Sequence, residues 1–267
     1  DNVMASDFLK KINAVFEHDF IAVQGHRTAK NTNNSWAILD AISEEINNNI
    51  FRKGHRVLGL SSAIIGSGMA FRYNYFKNLM STVTAIGGFD KEIELKMLKE
   101  GRKIVYLDDA IVFDEKIQKS EVFGNQRRRW LSAQFHYFRK DFLNAFKDLI
   151  LKGNVDYFDK AIQFIQPPRI LLLGAVIMFS AGFILINYVL DNDVQYSKYW
   201  LIVAVACILS FIFSVPRSFY NLKTLGALVS LPKGMFMMLL SLLKIKGANK
   251  TFIHTQHTSN TEEISSK

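Results

Sequence analysis

Gln126, Arg129 and Trp130 are spaced three and four positions apart, so on a helix they share one face. That face offers an amide to hydrogen-bond a hydroxyl, a guanidinium to clamp a phosphate and an indole to stack on a sugar ring. Arg127 and Arg128 are expected to point elsewhere. The same stretch also reads as a basic helix lying on anionic lipid or an acidic partner, with Trp130 as an interfacial anchor. Upstream, Asp90, Glu92 and Glu94 share one helix-like segment. Glu92 and Glu94, two positions apart, cannot both face one cleft. Glu92 also has Lys96 four positions on, an ordinary surface pair. Gly66-Ser67-Gly68 permits a sharp bend and close backbone approach to a ligand, and equally a plain turn. Gln24 and Arg27 end a short β run, with His26 between them as either a structural hydrogen-bonder or a ligand.

Several elements must hold these side chains in place. Residues 5–17 carry a helical apolar stripe of Phe8, Leu9, Ile12, Val15 and Phe16, with Ser6 as the expected N-cap. Residues 20–24 read as a strand and 35–51 as a second helix. Residues 62–72 suggest two extended pieces joined at the Gly-Ser-Gly turn. Gly87-Gly88 opens a helix over 89–100, with Gly101 as its C-cap. Residues 103–107 and 110–113 are β-like, and a long helix over about 120–147 carries the opening motif. Strands and helices alternating in this way indicate an α/β layered domain.

The 267 residues hold 33 Lys and Arg against 24 Asp and Glu, a net charge of +9 that suits membrane phosphate, nucleotides or nucleic acid. The 22 phenylalanines fit lipid-contacting or core helices better than a nucleic-acid reader. Cys207 is the sole cysteine, so there is no disulfide framework and no Cys-based metal site. Residues 170–190 and 199–215 are two uncharged apolar runs. The first spans roughly 30 Å as a helix, the thickness of a bilayer core. Arg169, Arg217 and Lys223 flank these runs, whereas the turn at 191–193 is acidic, which places both long flanks on the cytosolic side. Residues 225–243 are broken by Pro232-Lys233-Gly234 and read as an interfacial or broken helix. Residues 258–267 are expected to be disordered.

Three segments in order, 66–72, 87–95 and 126–130, resemble membrane-bound family 2 glycosyltransferases of the cellulose, chitin and hyaluronan synthase type. The resemblance implies an α/β fold: the C-terminal part of a GT-A domain (1–168), followed by two transmembrane helices (169–216). An interfacial helix with a cytosolic loop (217–257) would come next. It implies a nucleotide-diphosphate sugar donor, a polysaccharide or glycolipid acceptor, a divalent metal (Mg or Mn), membrane lipid contact and no nucleic acid. Asp1 resembles the end of a metal-binding D-x-D motif, so the chain is expected to be a fragment, inactive alone. Glu92 stands where the family carries its general base, one methylene longer than the usual aspartate, with Glu94 and Asp90 as alternatives. Gln126, Arg129 and Trp130 would serve the acceptor and diphosphate. Gln24, Arg27, Gly66, Ser67 and Gly68 would line the donor pocket. Residues 252–255 resemble a gating loop, with His254 where valine is usual. Single addition to a lipid-linked acceptor, or a non-catalytic membrane-anchored binding subunit, are the competing expectations.

Overall fold

The computed structural model describes residues 2–85, 88–116, 120–190 and 196–244. Asp1, Gly87, the turn at 191–193, segment 252–255 and the expected disordered end lie outside the described residues.

The sheet has four strands, β1 (Val3–Met4), β2 (Ala22–Ala29), β3 (Met69–Phe71) and β4 (Ile104–Asp114). Their order is β1-β4-β2-β3, with β2 parallel to β4 and the two outer pairings antiparallel. The first four residues of β2 are all buried, as a central strand covered on both faces requires. Between Gly25 and His26 the register slips: Gly25 pairs with Leu107, whereas His26 pairs with Ile111. Residues 108–110 therefore bulge out of a single long strand where the sequence suggests two. A Cβ on Gly25 would meet the Ala110 carbonyl oxygen at 2.7 Å, so only glycine fits beside the bulge.

α1 (Phe8–Phe16) covers one face, packing Phe8 and Ile12 against Val23, Ala110 and Val112. Its N-cap is Asp7, not Ser6, and the Asp7 carboxylate bonds Lys11 at 2.7 Å rather than the helix end. α2 (Ser35–Asn47) starts at Asn34, whose side chain accepts from the Ala37 N–H. It continues through a π-helical stretch (Asn48–Gly54) into α3 (His55–Val57). Of the two extended pieces expected over 62–72, only β3 joins the ladder. The Ile65 N–H is taken instead by the Gln24 side chain.

α4 (Tyr73–Met80) and α7 (Val155–Gln163) are not expected from the sequence. Gly88, at φ 70°, turns the chain into α5 (Phe89–Lys99), and Gly101, at φ 72°, follows its end. α5 buries Ile93, Leu95, Met97 and Leu98 in the main core with Tyr137, Tyr157 and Phe164. Tyr137 belongs to α6 (Ser120–Lys152), an unbroken helix that runs past its expected end.

α8 (Arg169–Leu190) and α9 (Tyr196–Phe213) are long and apolar enough to cross a membrane, and only 11% of each apolar window is buried. Two polar contacts join them. Ser180 donates to the Trp200 carbonyl at 2.9 Å and Asn187 to Ser197 at 2.6 Å. After a short 3-10 turn (Arg217–Phe219), α10 (Leu222–Leu228) and α11 (Leu231–Leu243) form a pair bent by 47°. The break falls at residues 229–230, upstream of Pro232, because proline is tolerated in the first turn of a helix.

Candidate active site

A cavity of about 1130 Å³ lies where α2, α5, the first half of α6 and the start of α8 come together, with α9, α10 and α11 closing one side. Arg127, Arg129 and Trp130 of α6 line it, opposite Trp36 and Asp40 of α2. Gln126 does not. Its Oε1 is buried without a hydrogen-bond partner among the described residues. Arg127, expected to point away, faces in. It forms an ion pair with Asp40, and its guanidinium stacks 4.5 Å from the Trp130 ring centroid. Residues 127 and 130 are also three apart, so a face centred on Trp130 takes in Arg127 as readily as Arg129. Asp40, Ser43 and Asn47 form a polar stripe along α2 that follows Trp36 at helical spacing and lines the same cavity. That stripe was present in the sequence as a signal and is absent from the motif.

The three acids of α5 separate cleanly. Asp90 and Glu94 line the cavity and Glu92 does not, as a two-residue offset on a helix demands. Glu92 points toward α6, bonded to Lys96 at 2.9 Å, with the Tyr137 hydroxyl donating at 3.4 Å and the Thr84 N–H at 3.3 Å. Burial acts to raise its carboxyl, but the bonds from Lys96 and Thr84 and the Lys140 charge outweigh it and hold Glu92 below the usual range. Glu94 is fully enclosed and bonded to Lys160 at 2.7 Å. There burial dominates, and the Glu94 carboxyl is pushed up despite Lys160. Asp90 keeps looser company, with the Lys91 ammonium 3.9 Å away.

The residues expected to line a donor pocket divide as well. Arg27 and Gly66 are on the cavity wall, whereas Gln24, Ser67 and Gly68 are not. The Gln24 side chain, wholly buried, is used up by backbone. Its Nε2 donates to the Ser67 carbonyl at 3.0 Å and the Gly68 carbonyl at 3.3 Å, and its Oε1 accepts from the Ile65 N–H at 2.9 Å. Gln24 thus fastens the glycine turn that presents Gly66. Arg27 is held by Glu44 at 2.6 Å, and Arg52 bonds the other Glu44 oxygen at 2.9 Å. Burial would raise the Glu44 carboxyl, but the two guanidinium charges overcome it and hold it well below the carboxylate range. His26 sits outside the cavity. Its ring nitrogens meet Glu45 at 3.2 Å and Asp108, on the bulge, at 3.1 Å.

Among the described residues no three His, Cys, Asp or Glu side chains converge on a point that would hold a metal ion, and Asp1 lies outside them. These residues alone do not make up the divalent-metal site that the resemblance implies.

No curated protein matches the chain. The sheet, α5 and the α6 segment that carries Arg127, Arg129 and Trp130 nonetheless fall within one recognised unit: residues 1–133 match the family model described as "Glycosyltransferase like family 2".

Proposed function

We propose that the chain carries the site of an inverting glycosyltransferase, which moves a sugar from a nucleotide-diphosphate donor to an acceptor at the cytosolic membrane face. The observation that carries this reading is one cavity lined by Trp130, Arg129 and Asp90 inside and beside the matched stretch, closed on its far side by the apolar helices. Trp130 offers a ring for the acceptor sugar to stack on. Arg127 and Arg129 supply positive charge where the diphosphate leaves, so the leaving group needs no proton donor. The acceptor hydroxyl attacks the anomeric carbon in line as the C–O bond to the diphosphate breaks, and a carboxylate takes the hydroxyl proton.

Asp90 is the carboxylate best placed for that proton. It reaches the cavity, and among the described residues its nearest cation is Lys91 at 3.9 Å. Glu92 faces the α5–α6 interface, and Glu94 is enclosed with Lys160. Membranes carrying the full-length protein, incubated with a panel of nucleotide sugars, test the reading. Asp90→Asn is expected to lower transfer by about 10²–10⁴-fold, the range of a general base. Transfer unchanged in Asp90→Asn and lost in Glu92→Gln would return the role to Glu92.

A further inference from the structure

We propose that this cavity holds a phosphate-bearing lipid, its phosphate at the Arg169 guanidinium and its hydrocarbon chain along the apolar wall toward α10. The proposal rests on the reading of α8 and α9 as membrane helices, and it names the amphiphile that the same cavity accepts.

The cations on the wall are not equivalent. Arg27 and Arg52 are matched by Glu44, Arg127 by Asp40, Lys160 by Glu94 and, more loosely, Lys91 by Asp90 at 3.9 Å, and Arg129 lines the wall as well. Among the described residues Arg169, the first residue of α8, donates only to neutral acceptors: the Asn47 Oδ1 at 2.7 Å and the Ser43 carbonyl at 3.3 Å, both taken by Nη2. Its Nη1 is buried with no acceptor among the described residues, and the Phe51 ring lies 5.7 Å from its central carbon. The nearest counter-charge, Glu44, is already bonded to Arg27 and Arg52, and the Arg127 and Arg52 charges oppose Arg169, so a guanidinium removed from water here is costly and an anion in the adjoining cavity offsets that cost. Arg127 lines the same cavity, so a phosphate there meets two guanidinium groups.

A phosphate alone leaves the rest of the wall unexplained. Beyond Arg169 the lining turns to Leu173, Ile212, Leu222 and Leu225. Several of these residues are also open to the outside: Leu222 is 84% exposed, Leu225 63% and Ile212 43%. The cavity therefore has an apolar rim on the side where α9 presents its uncovered surface. Such a rim suits a hydrocarbon chain entering from the bilayer and is poorly matched to a hydrated polymer.

The test is native mass spectrometry of the full chain in detergent micelles, with phosphatidic acid and phosphatidylcholine as probes and no nucleotide sugar present. The expected result is preferential retention of phosphatidic acid. Arg169→Gln should weaken that binding by about tenfold or more, and Arg169→Lys should keep most of it. Leu225→Asn should weaken phosphatidic acid but leave binding of inorganic pyrophosphate unaltered. Equal uptake of the two lipids by the unaltered chain would overturn the proposal, whether or not any variant folds. So would unchanged retention in Arg169→Gln, or pyrophosphate binding that Leu225→Asn leaves intact while phosphatidic acid is never favoured. Sugar transfer is measured separately. Loss of transfer with lipid retention intact counts against the transfer reading alone.

Discussion

Asp90, Glu92 and Glu94 carry the same functional group into three surroundings within a turn and a half of helix, and their chemistry follows the surroundings. Glu92→Gln removes a carboxylate that holds Lys96, Tyr137 and the Thr84 N–H. It is expected to lower stability by ~1–2 kcal/mol and to leave transfer within a few-fold of normal, read from urea midpoints and initial rates in parallel. Glu44→Gln should cost more, ~3–5 kcal/mol, because Arg27 and Arg52 would then share a single buried acceptor. His26 adds a pH dependence. Burial disfavours its charged form, but bonds and charge from Glu45 and Asp108 prevail and raise its pKa above 6.5. A raised histidine contributes stability that is fully present below about 6.5 and is lost as pH climbs through the raised value. Melting temperatures should therefore decline as pH rises above about 6.5, and His26→Gln should flatten that decline. A wild-type profile no steeper than that of the variant would contradict this account.

At the level of elements, the bulge between β2 and β4 does most to arrange the polar side of the domain. It turns Asp108 outward to His26 and to Lys53, 2.7 Å away. Gly25→Ala would press a methyl into the Ala110 carbonyl and is expected to destabilise the fold by ~1–3 kcal/mol, measurable by chemical denaturation. Nothing in the residues announces this bulge, because it depends on the pairing of two strands distant in sequence. The parts that were legible are those whose signal is local: the stripe of α1, the glycines bracketing α5, the helix that carries Arg129 and Trp130, and the uncharged runs of α8 and α9. The split of Asp90, Glu92 and Glu94 between two faces was legible too, but which face meets the cavity was not. Arg169 shows the limit most plainly. Its character depends on meeting Asn47 across 122 positions of chain, and periodicity cannot encode such a contact. α7 was missed because its burial comes from packing on α5 and α6, although Asn154 at its N-cap was a visible start signal.

On the scale of the whole molecule, the apolar helices meet the sheet domain at several places, among them the Arg169–Asn47 bond to α2 and the Ser241–Gly124 bond to α6. The outer faces of α8 and α9 are almost entirely uncovered by protein, so the full chain is expected to stay with membranes through an alkaline carbonate wash. Val205, 48% exposed near the middle of α9, offers a sharper check. Val205→Arg should oppose insertion by ~2.5–3.5 kcal/mol and shift protein to the soluble or aggregated fraction. Equal membrane retention of the two forms would tell against a span at α9.

α6 deserves a mechanical reading. It touches α11 near Gly124, where the Ser241 hydroxyl donates to the Gly124 carbonyl at 3.2 Å, and it reaches α7 at its other end roughly 40 Å away. No proline, and no glycine after Gly124, interrupts it, so it behaves as a stiff lever with Trp130 mounted near one end. Under the membrane reading, any tilt that a thicker or thinner bilayer imposes on α11 is handed to the indole without a joint to absorb it. Transfer rates measured in bilayers of graded acyl length should accordingly pass through an optimum.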